Sequence, residues 1–242
     1  TGLVGIGHTR WATHGGPTDR NAHPQVADEG RLALIHNGII ENYAELREEL
    51  LAKGVEFLSE TDTEVAAHLL ADVYRHAAGQ DLTRAMQLAS QRLEGAFTLL
   101  AVHVDHPDRV VASRRNSPLV IGLGEGENFL GSDVAAFIEH TRDAVELGQD
   151  EVVVITADSY TVTDFDENAR DGKPFHIDWD LAAAEKGGYD YFMLKEIAEQ
   201  PRALAAGQRR ERLAEGEVAQ AHVLQQLERM GDAGHGGEEV HR

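Results

Sequence analysis

No cysteine occurs in the 242 residues, so the chain as given carries no disulfide, no zinc thiolate and no thiolate nucleophile. Positive charge is scarce too: 22 Lys and Arg stand against 42 Asp and Glu, a formal charge of −20. Phosphate backbones and anionic headgroups call for clustered cations, so nucleic acid and anionic membrane surfaces are excluded as partners. No apolar run approaches the ~20 residues of a membrane span. The chain opens on Thr1, and Met86, Met193 and Met230 are all internal. Thr1-Gly2-Leu3-Val4-Gly5-Ile6 reads as the middle of an apolar strand, so a cut is expected there rather than a processed end. What these absences leave is a soluble protein, expected in the cytoplasm, with enough chain to bury a core.

Periodicity organises what is there. Residues 2–9 and 31–36 are apolar, β-rich runs that lead into Gly-containing turns and predict strands. Tyr43, Leu46, Leu50 and Leu51 follow helical spacing from Asn42 to Lys53, with Gly54 as the stop. A second helix starts at Thr61-Asp62 and runs through Val73, and a third covers Leu82–Leu93. The period then changes to alternation over Phe97–Val104, Arg109–Ser113, Pro118–Gly122, Asn128–Gly131, Glu151–Thr156 and Tyr160–Asp164. Strands, a helical group and a further run of strands predict an α+β fold with helices stacked on sheet faces. From about residue 201 the composition shifts to dense Arg, Glu, Gln and Ala, with a loose apolar stripe over 208–230 that predicts a helical or frayed appendage.

Three clusters carry chemistry. Gly7-His8-Thr9-Arg10-Trp11-Ala12-Thr13-His14-Gly15-Gly16 places two His, an Arg and a Trp in one Gly-rich exit from a predicted strand. Arg10 there suits bidentate capture of a carboxylate. The plainer alternative is a surface turn whose Trp packs on the core. Ile35-His36-Asn37-Gly38 holds an Asn-Gly pair that most often marks a hairpin, but an Asn amide beside a Gly N–H also makes a two-donor oxyanion pocket. In Ser59-Glu60-Thr61-Asp62-Thr63-Glu64, capping accounts for the acidic residues, and the alternative is an Asp62 that faces a pocket and takes an ammonium. Four His lie within the first thirty-six residues, at 8, 14, 23 and 36, yet no pair has the i, i+4 spacing of a helical zinc site, so no metal is expected. Gly122-Leu123-Gly124-Glu125-Gly126-Glu127 lacks the Lys and third Gly of a phosphate loop and reads as a turn.

Taken in order, His8 to Gly15, Asn21-Ala22-His23-Pro24, His36 to Asn42 and Ser59 to Glu64 closely resemble the glutaminase domain of the glutamine–fructose-6-phosphate aminotransferase family. Ser117 to Gly122 and Met193 to Pro201 resemble it as well. The resemblance covers residues 1–202, read as a partial class II glutamine amidotransferase domain, and leaves 203–242 as a charged, divergent tail of the kind a frameshift produces. It implies the four-layer α-β-β-α sandwich of N-terminal-nucleophile hydrolases, here lacking its first strand. Arg10 and Thr13, with His14 beside them, would hold the glutamine α-carboxylate, and Asp62 the α-ammonium. Asn37 and the Gly38 amide would form the oxyanion hole, with Trp11 as a gate towards the ammonia path. The implied partners are glutamine and, in an intact homodimeric protein, fructose 6-phosphate, with no cofactor. The family nucleophile is a cysteine ahead of the residue matching Thr1, so the chain alone is expected to be inactive. Two alternatives remain open: Thr1 as nucleophile, and a non-catalytic glutamine-binding or dimer-forming remnant.

Overall fold

Alternating apolar residues along the strands settle which side of each sheet meets what. The computed structural model describes residues 4–178, 191, 193–195 and 197–201. The chain divides into two units, Thr1–Leu181 and Ala182–Arg242. In the first, β1 (Gln25–Ala27), β2 (Leu32–Ile40), β3 (Gly95–His103), β4 (Val110–Arg115), β8 (Glu151–Ile155) and β9 (Tyr160–Asp164) form one antiparallel sheet in the order β1-β2-β3-β4-β8-β9. A second antiparallel sheet has the order β10-β7-β5-β6, from β5 (Val120–Leu123), β6 (Asn128–Gly131), β7 (Asp143–Glu146) and β10 (Lys173–His176).

Odd and even positions of β3 point opposite ways, as the period of two requires. Phe97, Leu99 and Ala101 enter the core beneath α1 (Tyr43–Ala52), α2 (Asp62–His76) and α3 (Leu82–Arg92). Leu100 and Val102 instead join Ile121 and Val145 between the two sheets. On the far side of the second sheet, Val120 and Ala144 pack with Phe137 and Ile138, at the 3-10 turn Val134–Ala136. The layers are therefore helices, sheet, sheet, and an outer layer which, among the described residues, is that turn and its neighbours. Each fully buried Leu or Phe in these cores contributes ~1.5–3 kcal/mol.

The helix ends follow their sequence signals. Thr61 Oγ1 accepts from Glu64 N (3.2 Å) and Asp81 accepts from Thr83 N and Arg84 N (2.8 and 3.1 Å), which satisfies the first turns of α2 and α3. Gly54 N and Val55 N return to Leu51 O and Leu50 O and close α1 with a Schellman pair. Glu64 reaches back to Leu58 N, Ser59 N and Ser59 Oγ.

One expectation needs correction, and three strands were not foreseen. Residues 4–9 of the predicted strand 2–9 are not strand, because nothing among the described residues pairs with them, and apolar alternation without a neighbour's ladder makes no sheet. The short strands β1, β7 and β10 went unpredicted; β10 is exposed throughout and carries no alternation to read. In the second unit, residues 193–195 and 197–201 are helical. The appendage at 208–230 and the tail 203–242 lie outside the described residues.

Candidate functional site

β1 pairs with β2 only as far as Gln25↔Leu34, whereas β3 pairs with β2 as far as Ile40↔Gly95. From Ile35 onwards one edge of β2 therefore has no strand beside it among the described residues. A cavity of about 250 Å³ opens at this edge, lined by Arg10, Trp11, Thr13, His14, Asn37, Gly38 and Asp62 among others. All seven residues singled out in the sequence thus come to one pocket. Asn37 and Gly38 lie inside β2, opposite Thr98 and Phe97, so they are not a hairpin turn.

Asp62 is the first residue of α2 and 2% exposed. Thr61, not Asp62, is the helix cap, which frees the Asp62 carboxylate for other partners. Its Oδ2 accepts from Ile40 N at 3.0 Å, an N–H of the open strand edge. His14 Nδ1 lies 3.6 Å from Oδ2 and His36 Nδ1 3.8 Å from Oδ1, both beyond good hydrogen-bond length. The α2 N-terminus adds favourable dipole potential. A buried carboxylate placed in a pocket wall favours a cationic ligand group.

Arg10 departs in detail from the simple fork. Its terminal nitrogens donate to His14 O (2.6 Å), Gly15 O (3.1 Å) and Gly16 O (3.1 Å), so they curl the 14–16 loop around the guanidinium. Two of the five Arg donors remain for a ligand. Asn21, 1% exposed, staples that loop to the start of α2: its Nδ2 donates to Gly16 O and Glu60 Oε2, and its Oδ1 accepts from Glu60 N. Trp11 is 89% exposed at the pocket and does not pack on the core.

Sequence reasoning missed His8, His23, His36, Thr61 and Thr63 as pocket residues. The early histidines were a visible signal, but apart from His14 they were given no pocket role and were weighed as metal ligands; among the described residues no three His, Asp or Glu are placed to hold a metal ion. Burial lowers His23 to a pKa of about 3, helped by the neighbouring His8. Burial likewise lowers His36 to about 4 against the opposing pull of the Asp62 carboxylate. Glu64 is lowered as well, against its burial: burial raises it, but donors from His68, Leu58 and Ser59 outweigh that and leave it at about 2.

These shifts set the acid response. The unfolded chain binds protons on His23 and His36 below pH 6.5 while the folded chain does not, so stability falls as pH drops from 6.5 towards about 4. Glu64 adds a second loss as pH falls from 4.5 towards 2. Urea midpoints are expected to decline from pH 6.5 downwards, before ordinary carboxylates titrate. A midpoint flat between pH 7 and 5 would contradict this.

The sequence profile of the glutamine amidotransferase domain family matches residues 1–170. Similar curated proteins named glutamine–fructose-6-phosphate aminotransferase (isomerizing) occur in Corynebacterium efficiens, 70% identical over 202 residues, and in Streptomyces coelicolor, 66% identical over 202 residues. Each match takes 84% of this chain and 32% of the relative, so the chain spans about a third of these relatives' length. Among solved structures, glutamine phosphoribosylpyrophosphate (PRPP) amidotransferase from B. subtilis, complexed with ADP and GMP, superposes with a TM-score of 0.54 at 24% identity, covering 67% of this chain and 35% of that one. A structure described as the allosteric regulatory enzyme of purine biosynthesis gives 0.55 at 26% identity with the same coverage. The fold is accordingly the α+β sandwich of N-terminal-nucleophile hydrolases.

Proposed function

Since the chain belongs to the glutamine amidotransferase domain family, we propose that the pocket at the open edge of β2 receives L-glutamine as the glutaminase part of a glutamine–fructose-6-phosphate aminotransferase. One observation carries the reading: a buried carboxylate, a guanidinium and an Asn-Gly donor pair line a single pocket. Asp62 takes the α-ammonium. Arg10, Thr13 and His14 hold the α-carboxylate. Asn37 Nδ2 and the Gly38 N–H receive the side-chain oxygen as charge develops on it, an interaction for which one donor is typically worth ~2.7–4 kcal/mol. Trp11 covers the mouth and gates the ammonia path.

In the longer protein, a cysteine thiolate from a segment ahead of Thr1 attacks the side-chain carbonyl carbon. The C–N bond breaks, ammonia leaves with the proton taken up by the cysteine's own amine, and a glutamyl thioester remains for water to hydrolyse. A sugar-phosphate half then uses that ammonia to convert fructose 6-phosphate to glucosamine 6-phosphate, in a cytoplasmic homodimer without a cofactor. The tail 203–242 stands outside the glutaminase domain, which ends near residue 202.

The present chain contains no cysteine, so it is expected to bind glutamine without cleaving it. Titration calorimetry should give saturable heat with L-glutamine and none with D-glutamine, while coupled assays detect no glutamate release. Absence of L-glutamine binding by a folded chain would overturn the reading of the pocket. Glutamate release at an enzymatic rate would overturn the account of the nucleophile and return attention to Thr1.

A further inference from the structure

One hydrogen bond at the pocket belongs to none of the roles above. His8 Nε2 lies 2.6 Å from Asn37 Oδ1. We propose that His8 is a positioning residue, whose Nε2–H holds the Asn37 amide by its oxygen so that Nδ2 stays turned to the pocket. The inference rests on the reading of Asn37 as a donor to the glutamine side-chain oxygen.

A primary amide has two nearly isosteric ends, one a donor and one an acceptor, and a half-turn about its last torsion exchanges them. Asn37 is exposed, and among the described residues no group accepts from its Nδ2. Its own packing therefore does not choose between the two orientations; the contact with His8 does. With the proton on Nε2, His8 can only donate, and it selects the oxygen end. With a bare Nε2, His8 can only accept, and it would draw Nδ2 away from the pocket. The location of one imidazole proton thus decides whether the second donor is present.

The surroundings favour the productive arrangement. His8 Nδ1 is buried without a hydrogen-bond partner, and the ring lies against His23 with centroids 4.4 Å apart. A proton on Nδ1 would be a buried N–H without an acceptor, a rarer arrangement than a buried acceptor left bare. On Nε2 the same proton makes a short hydrogen bond. His23, held neutral at physiological pH chiefly by its own burial, places no full charge against the ring.

Two readouts on the full chain test this. Long-range ¹H–¹⁵N correlation spectra of the histidine-labelled chain are expected to show the His8 proton on Nε2; a neutral His8 protonated on Nδ1 would overturn the proposal. Calorimetry then compares L-glutamine with L-norvaline, which has the same head group and no side-chain carbonyl. His8→Ala is expected to weaken L-glutamine about five- to tenfold, the worth of one ordinary hydrogen bond. It should leave L-norvaline unchanged, and His8→Gln, which restores an N–H donor, should recover the loss. Equal losses for both ligands, or no loss for either, would overturn it. If the unaltered chain binds neither ligand, the glutamine reading fails, and the proton position still decides the role of His8. If His8→Ala does not fold, the wild-type spectrum and His8→Gln carry the test.

Discussion

Gly38→Ala is expected to cost the chain roughly 2–6 kcal/mol of stability and to weaken glutamine binding in whatever fraction still folds. Gly38 has φ +117°, outside the regions that L side chains adopt readily. A Cβ at this position would collide with the carbonyl oxygen of Ala96 and lie 2.9 Å from its carbon and 3.0 Å from Phe97 Cα. All three are backbone atoms of β3, fixed by the β2–β3 ladder, so no flexible side chain can give way. The strain and the overlap each account for ~1–3 kcal/mol. Relief requires β2 to move away from β3, which displaces Asn37 and the Gly38 N–H together. Gly126 supplies the comparison: its φ is +70° but nothing lies within 4 Å of an added Cβ. Gly126→Ala is expected to cost only ~1–2 kcal/mol, the backbone share alone. Chemical denaturation of the two variants checks the contrast, and similar losses would mean that steric collision at β3 is not what demands glycine.

That glycine marks the boundary of what the residue pattern could reveal. Asn-Gly between apolar runs looks like a hairpin because the same backbone freedom serves both a tight turn and a close approach of two strands. Only the partner strand distinguishes them, and Ala96 lies 58 positions later. The start of α2 posed a similar one-residue ambiguity. Thr61 and Asp62 are both good caps, and the choice of Thr61 is what turns Asp62 into the pocket. Local signals served well where the physics is local, as at the Gly54 stop of α1. They failed at residues 4–9, where apolar alternation was present but the ladder was not. The roles of Arg10, Asp62 and Asn37 were only plausible from charge and donor count; the resemblance of ordered motifs made them specific and alone supplied Thr13. His8 and Asn21 escaped both routes, since their importance lies in what they hold: the Asn37 amide and the 14–16 loop.

Asp62 bonds the fold through a carboxylate to which the proposed reading also gives the ligand ammonium, and two substitutions should separate those roles. Asp62→Asn keeps an oxygen of the same reach, which can still accept from Ile40 N, so the edge of β2 and the start of α2 stay joined. Its stability is expected to lie within about 1 kcal/mol of the parent, the size of a charge-assisted bond exchanged for a neutral one. The amide has no charge to offer an ammonium, however, and its NH₂ end would face that group. Removing one partner of a buried charge pair typically costs 2–5 kcal/mol, so L-glutamine should bind at least ~30-fold more weakly. Asp62→Ala removes the acceptor as well and leaves Ile40 N, on a residue that is 0% exposed, without its partner. That variant is expected to lose a further 1–3 kcal/mol of stability. The order of effects is the check: binding falls in both variants, but the melting temperature falls mainly in Asp62→Ala. If Asp62→Asn binds L-glutamine as tightly as the parent, the carboxylate is not the ammonium site. If both variants melt alike, the bond to Ile40 does not hold β2 to α2. The contrast is sharp because Asp62 sits where a strand edge has run out of strand partners, so one side chain must satisfy the backbone and still present its charge to the pocket.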